Sequence, residues 1–170
     1  MNGHFTREFE PSQELPRILS VEAGVKVNVV PGTANAVVEG MEPAQVIEIA
    51  EAAEKETGVS YEVKATEDTV SITAVGKGAH ASTPEEGVNA LTGLLVLLSR
   101  LPLAPCGQVD AIKDLLVLIP HGDTRGNGLG IAMSDELSGD LTLAFSLLKI
   151  DEESLDATFD SRCPLCANED

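Results

Sequence analysis

The chain has 170 residues and 43% of them are hydrophobic, which is enough to bury the core of a folded domain and argues against disorder throughout. Aromatic residues make up only 3%, so we expect a core of leucine, valine, isoleucine and alanine. With 28 acidic and 11 basic residues, the net charge of −17 argues against nucleic acids and anionic membranes as partners and favours a cytoplasmic protein.

The first part of the chain alternates between predicted strands and a helix. Residues 1–14 are polar and are interpreted as a tail or an interdomain connection. Apolar and polar side chains alternate over residues 25–29, which predicts a strand, and the strand pattern resumes over 36–39 after a break at 31–33. A helix is predicted over 43–57, and Gly58 is placed to end it.

A hairpin and a second helix follow in the middle of the chain. Residues 59–65 and 69–75 are predicted strands, and a short polar turn separates them. Thr83 can act as a helix N-cap, with Pro84 at the first helical position and a glutamate three residues after the cap. This capping box predicts a helix over 84–100.

The last part of the chain is richer in strands. Residues 109–119 predict a short third helix, and the glycine-rich stretch 121–130 is typical of turns. Three further strands are predicted over 129–133, 141–147 and 155–159. The order of these elements predicts an α+β fold of the ferredoxin-like type, in which helices cover one face of an antiparallel sheet.

The turn between the hairpin and the second helix carries the most informative residues. Residues 76–82 read GKGAHAS and are followed by Pro84, Gly87 and Asn89. This stretch resembles the lid-domain motif of the co-catalytic zinc peptidase superfamily, which includes aminoacylase, carboxypeptidase G and carnosinase. Residues 28–31 are similar to the Asn-x-(hydrophobic)-Pro element of the same lid.

Several short segments resemble the bacterial Xaa-His dipeptidase, or PepV-like, branch of that superfamily. They are 129–131, 135–136, 138–139 and 141–143. Residues 160–164 resemble its Arg-Tyr-Pro segment, with a cysteine in place of the aromatic residue. The resemblance covers about residues 8–165 and only the lid, so the metal-binding half of such an enzyme is expected on both sides of this segment.

The resemblance also implies how the chain is divided. The long lids of this branch contain a second unit similar to the first. We therefore expect a tail at 1–14, a first ferredoxin-like lid unit at 15–120, and the strand-rich start of a second unit at 121–170. This second unit is expected to lack its last helix and strand.

Three residues are candidates for a site, and each also has an ordinary interpretation. By local pattern alone, His80 is a solvent-exposed turn residue, Asn28 an outward polar residue of a strand, and Arg162 a surface arginine. The resemblance implies that His80 contacts the substrate carbonyl oxygen as negative charge develops, and that Asn28 orients the substrate. It implies that Arg162 binds the terminal carboxylate, for which a guanidinium has matching geometry.

The resemblance implies a dipeptidase that uses two zinc ions to activate water for attack on the peptide bond of a dipeptide. Both ions would lie in the catalytic domain of the same polypeptide, so this chain alone is expected to hold no zinc and to be inactive. Uncovered apolar surface and sheet edges would favour a homodimer of the chain. The alternative is a stand-alone ferredoxin-like binding or dimerisation module without enzymatic activity.

Other motifs are interpreted as structural. Residues 121–123 and 151–153 resemble the zinc-binding elements of the superfamily, but there they precede the lid motif and here they follow it. The cysteine pair at 163–166 lacks the second pair that a zinc site needs and the following helix of a redox motif. The glycines at 126–130 precede a strand rather than a helix, so they predict a turn and not a phosphate site.

Overall fold

A computed structural model describes residues 2–164 of the chain. The strands and helices follow in this order: β1 (Asn2–Glu8), β2 (Arg17–Ala23), β3 (Val29–Val30), β4 (Thr33–Glu39), α1 (Pro43–Thr57), β5 (Ser60–Ala65), β6 (Thr69–Val75), β7 (Ala79–His80), a 3-10 turn (Pro84–Glu86), α2 (Ala90–Arg100), α3 (Gly107–Leu118), β8 (Ser134–Asp135), β9 (Gly139–Asp140), β10 (Thr142–Ile150) and β11 (Ser154–Arg162).

Seven strands form one sheet with the spatial order β1-β11-β10-β2-β4-β6-β5. Every pairing between neighbouring strands of this sheet is antiparallel. With three helices packed against it, the sheet confirms the predicted α+β class. No helix among residues 2–164 is long and apolar enough to cross a membrane.

The core lies between one face of this sheet and the three helices. The sheet residues in the core stand at alternate strand positions, so they share a face: Val21 of β2, Ala34, Ala36 and Val38 of β4, Val70, Ile72 and Ala74 of β6, Leu143 and Phe145 of β10, and Leu155 and Ala157 of β11. The helices supply Val46 and Ala53 of α1, Leu91, Leu94 and Leu98 of α2, and Ile112 and Leu115 of α3. Full burial of one such leucine contributes roughly 2 kcal/mol.

Local pattern predicted several elements correctly. Helix α1 spans the predicted residues, and Gly58 ends it with a φ of 73°, a left-handed conformation that glycine adopts without strain. The hairpin of β5 and β6, the third helix and the last two long strands are also confirmed.

Two stretches among the first 30 residues differ from the elements expected. Residues 2–8, interpreted as part of a tail or an interdomain connection, form strand β1, which pairs with β11 and places Phe5 against Phe159. Of the predicted strand over 25–29, residues 25–28 form a loop in which Val25 is 92% exposed, and only Val29 lies in a strand, β3. Strand β2 ends just before Gly24, which has a φ of 90°. The strand that enters the sheet is β2, which the sequence pattern did not reveal.

The predicted helix over 84–100 begins six residues late. Thr83 makes no side-chain capping hydrogen bond, and the residues after it form only a 3-10 turn. Asn89 instead caps α2, because its side-chain oxygen accepts hydrogen bonds from the backbone N–H groups of Leu91 and Thr92. The predicted strand over 129–133 is also absent, and the short hairpin of β8 and β9 follows that segment.

The sheet continues without interruption through both predicted lid units. Strands β10 and β11 come from residues after 120, and β10 pairs directly with β2 from the first unit. The boundary between the two units stays a prediction. The outermost strands of the sheet are β1 and β5.

Candidate functional site

Asn28 and His80 lie at neighbouring backbone positions of a small arm formed by β3 and β7. Val29 pairs with His80 and Val30 pairs with Ala79 in an antiparallel ladder. The backbone N–H of Ala81 donates a 2.9 Å hydrogen bond to the carbonyl oxygen of Asn28. The structure therefore brings together two candidate residues that are 52 positions apart in the sequence.

The arm is fixed to the large sheet by a small buried cluster. Val30 and Ala81 pack against Ala144 of β10, and all three are at most 2% exposed. On the same arm, the side chains of Asn28 and His80 are exposed. A rigid anchor next to exposed polar groups is an arrangement suited to holding a ligand.

Glycine in the 76–82 motif is required by a close backbone approach. A Cβ at Gly76 would lie 2.1 Å from the carbonyl oxygen of Val88, which no side chain could accommodate. Next to it, Lys77 and Val88 exchange two backbone hydrogen bonds of 2.8 Å. The glycine thus lets the residues before α2 pair with the residues that lead into the arm.

The imidazole of His80 is oriented by the residue two positions later. Its Nδ1 accepts a 3.0 Å hydrogen bond from the backbone N–H of Ser82, and the Ser82 hydroxyl oxygen lies 2.7 Å from the same nitrogen. Because Nδ1 accepts, the neutral ring carries its proton on Nε2. His80 therefore presents an N–H donor at the exposed side of the arm.

Arg162 ends strand β11, and its side chain is about half exposed. Its Nε donates a 3.1 Å hydrogen bond to Oδ2 of Asp160, whose side chain is only 7% exposed. In the strand register, Asp160 pairs with Ala144, and Arg162 pairs with Thr142. Paired residues and residues two apart share a face of an antiparallel sheet.

It follows that Arg162 and the arm lie on the same face of the large sheet. Ala144 carries the arm through Val30 and Ala81, and Ala144 also pairs with the aspartate that binds Arg162. This face is opposite to the helices, because Leu143 and Phe145 point into the core. Neither Ser82 nor Asp160 was among the residues expected from the sequence, and local pattern carried no signal for either.

A cavity of about 190 Å³ lies beside the arm, between the start of α2 and the loop after α3. Its lining includes Val30, Asn89, Thr92, His121 and Ala144. Asn89 is held on both sides, because its Nδ2 donates a 2.9 Å hydrogen bond to the carbonyl oxygen of Phe145. The polar groups of this cavity thus connect α2 to β10.

His121 has a structural position. Its Nε2 donates a 2.8 Å hydrogen bond to the carbonyl oxygen of Thr57, and its Nδ1 lies 2.7 Å from the hydroxyl oxygen of Thr92. Both ring nitrogens are therefore engaged, and they connect the end of α1 to the first turn of α2.

Asp123 holds the turn that follows. Its two carboxylate oxygens accept hydrogen bonds from the backbone N–H groups of Arg125, Gly126, Asn127 and Gly128. Partial burial opposes ionisation, but these backbone bonds outweigh it and hold the pKa of the Asp123 carboxyl below its ordinary value. The glycines of this stretch form the predicted turn.

The second acidic motif is structural as well. The carboxylate of Asp151 accepts hydrogen bonds from the backbone N–H groups of Glu153 and Ser154, which lower its pKa and shape the turn between β10 and β11. Glu152 forms an ion pair with Arg17 at 3.1 Å. Across residues 2–164, no three His, Cys, Asp or Glu side chains come together as metal ligands. The described residues do not fit a zinc site.

Of the cysteine pair at 163–166, the structure describes only the first member. Cys163 is a free and exposed thiol next to Arg162. Cys166 lies outside the described residues, so the interpretation of the pair as ordinary thiols stays a prediction.

Two curated proteins are similar to this chain over most of its length. The YtjP protein of Bacillus subtilis (strain 168), whose name assigns it provisionally to the dipeptidases, is 30% identical over 146 residues, which are 84% of this chain and 31% of that protein. A Beta-Ala-Xaa dipeptidase of Lactobacillus delbrueckii subsp. lactis is 32% identical over 151 residues, which are 85% of this chain and 31% of that protein. No family model matches the chain. The chain spans about a third of the length of these relatives.

Proposed function

Because the chain is homologous to about a third of two proteins named as dipeptidases, we propose that it is the lid domain of a zinc-dependent dipeptidase. The observation that carries this proposal is the alignment of 85% of the chain with a protein named as a dipeptidase.

His80 is proposed to stabilise negative charge on the substrate. The Nε2–H group is a hydrogen-bond donor at the exposed side of the arm, while Nδ1 is held by Ser82. A positioned donor of this kind stabilises an oxyanion as it forms from a peptide carbonyl group. The backbone carbonyl of Asn28 binds the N–H of Ala81, the residue after His80, and the Asn28 amide is proposed to orient the same dipeptide.

Arg162 is proposed to bind the free carboxylate of the dipeptide. Its guanidinium is about half exposed on the face of the sheet that also carries the arm. Guanidinium and carboxylate groups form two parallel hydrogen bonds, so such a contact favours substrates with a free C-terminus. The chain would thus contact a dipeptide at its carbonyl group and at its carboxylate.

The zinc ions would be held by a catalytic domain of the same polypeptide and would supply the activated water. The described residues of this chain do not fit a zinc site, so the chain alone is proposed to hydrolyse no dipeptide. Metal analysis of the isolated chain tests this proposal. Stoichiometric zinc that disappears with His121→Ala or Asp123→Ala would contradict it.

A stand-alone binding or dimerisation module is the alternative, and the two dipeptidase names favour the enzyme. Self-association is proposed for the isolated chain, because strands β1 and β5 are the outermost of the sheet formed by residues 2–164 and present unpaired backbone edges there. Light scattering that shows a strict monomer at high concentration would contradict it. A cytoplasmic location stays our prediction from the sequence.

The deciding experiment uses the complete open reading frame. The 146 aligned residues are 31% of one relative, which is therefore about 470 residues long. If the protein is an enzyme of this kind, its open reading frame should encode a polypeptide of similar size. The purified full-length protein should hydrolyse dipeptides in the presence of zinc. A natural stop codon near Asp170, with no dipeptidase activity, would favour the module.

A further inference from the structure

Asp160 is buried, and among residues 2–164 its carboxylate accepts a hydrogen bond from Arg162. Only 7% of the Asp160 side chain is exposed, against 47% of the Arg162 side chain. A buried carboxylate is costly unless it is paired and hydrogen-bonded. The contact at 3.1 Å therefore holds the guanidinium against a fixed point of the sheet.

Within residues 2–164, this contact leaves the terminal nitrogens of Arg162 for a ligand. Asp160 accepts its hydrogen bond from Nε, which lies at the base of the guanidinium group. A guanidinium has five N–H donors in a planar fork, and the two terminal nitrogens are sufficient for paired contacts with a carboxylate. Fixing Nε therefore fixes the direction in which the fork points.

The aspartate is itself held by its strand. Asp160 lies within β11, between β1 and β10, and pairs with Ala144, the residue that anchors the arm of His80. Strands β10 and β11 would thus fix the positions of both Arg162, which binds the carboxylate, and His80, which contacts the carbonyl group.

We propose that Asp160 is a positioning residue for substrate binding, which orients the Arg162 guanidinium toward the carboxylate of a dipeptide. This inference rests on the proposed function, because it assigns Asp160 a role in that same site. It differs from a purely structural ion pair in one respect. A positioning residue affects recognition of the carboxylate, whereas a structural pair affects only stability.

The test compares Asp160→Asn with the wild type in the full-length protein. The substrates are one dipeptide with a free C-terminus and the same dipeptide with an amidated C-terminus. We expect KM for the free dipeptide to rise about tenfold to a hundredfold, because small displacements of a positioning group have effects of this size. The kcat value should change little, and the kinetics of the amidated substrate should stay the same.

The chain offers a matched control in Asp156. It lies on the same strand and the same face, but its side chain is 60% exposed and is paired with His4. Asp156→Asn should leave the ratio between the two substrates unchanged. In an Arg162→Ala background, Asp160→Asn should cause no further rise in KM, because Asp160 acts through Arg162.

Asp160→Glu covers the case in which the asparagine variant fails to fold. It keeps the charge but lengthens the side chain, so it should retain stability and still raise KM for the free dipeptide. Equal effects on both substrates, or no effect in a folded variant, would overturn the inference while the proposed function stands. Absence of dipeptidase activity in the wild-type protein would overturn both.

Discussion

The backbone N–H of Ser82 donates a 3.0 Å hydrogen bond to Nδ1 of His80, and the Ser82 hydroxyl oxygen lies 2.7 Å from the same atom. One residue thereby sets both the tautomer and the orientation of the histidine that follows β6. In the neutral ring, Nε2 is the only remaining position for the proton. The role proposed for His80 depends on this proton.

In the full-length protein, His80→Ala should lower kcat by about a hundredfold to a thousandfold, because one oxyanion donor is lost. Steady-state kinetics measure this change. The free energy of unfolding should change little, since the side chain is exposed. Ser82→Ala is the matched control. It keeps the backbone N–H that binds Nδ1 of His80, so it should lower kcat much less than His80→Ala. An unchanged kcat in His80→Ala would show that His80 is an ordinary surface residue.

Asp123→Asn should destabilise the chain at pH 7 by roughly 1–3 kcal/mol, because charge-assisted bonds to four backbone N–H groups are weakened. The pKa of Asp123 is lowered in the folded state, so its contribution is complete above the unfolded pKa of about 3.9. The contribution is lost as pH falls through the folded pKa.

Urea unfolding of wild type and Asp123→Asn at pH 7 and pH 3 measures this difference. The gap in the free energy of unfolding should shrink at the lower pH. Asp68→Asn, in the exposed turn between β5 and β6, controls for the removal of one negative charge from a chain of net charge −17. A gap that is constant or grows at low pH would contradict the prediction.

Thr142→Val should leave stability unchanged or raise it by up to about 1 kcal/mol. The hydroxyl oxygen of Thr142 is buried with no hydrogen-bond partner among residues 2–164, and valine has nearly the same shape. Thr92→Val is the matched control, since Thr92 is also buried but its hydroxyl contacts His121. Denaturant unfolding should show a lower free energy of unfolding for Thr92→Val and no decrease for Thr142→Val.

Gly93→Ala should destabilise the chain although alanine favours helices by about 1 kcal/mol over glycine. A Cβ at this position would lie 2.5 Å from Cγ2 and 3.0 Å from Cβ of the buried Val59. Overpacking of this kind costs roughly 1–3 kcal/mol. Thermal unfolding of Gly93→Ala, and of the same variant with Val59→Ala, measures the clash. The second substitution should recover part of the loss.

The sequence predicted the elements whose signals are local. The helix ending at Gly58 and the hairpin of β5 and β6 follow from periodicity and turn residues within one short window. Strand β1 has no such signal, because its residues are polar and its partner β11 is more than 140 residues away. The start of α2 was missed because Asn89 competes with the better-known capping pattern at Thr83.

The candidate site was also only partly predictable from local sequence signals. His80, Asn28 and Arg162 came from a family resemblance, and local pattern alone favoured ordinary surface residues. Their arrangement depends on contacts between distant segments, such as Ala81 with Ala144. The partners that orient His80 and Arg162 lie only two positions away, but the direction of a side chain toward a neighbour becomes visible only once the backbone is folded.

The most direct test of this account is the selectivity of Arg162→Ala in the full-length protein. Hydrolysis is measured on free and C-terminally amidated dipeptides, with Arg162→Lys as the matched control. Loss of the charged contact should cost about 2–5 kcal/mol on free dipeptides, or about thirtyfold to several thousandfold, and far less on amidated ones. Lysine should recover only part, because an ammonium group cannot make the planar paired contact. Equal losses on both substrates would contradict the account, because Arg162 would then not bind the carboxylate.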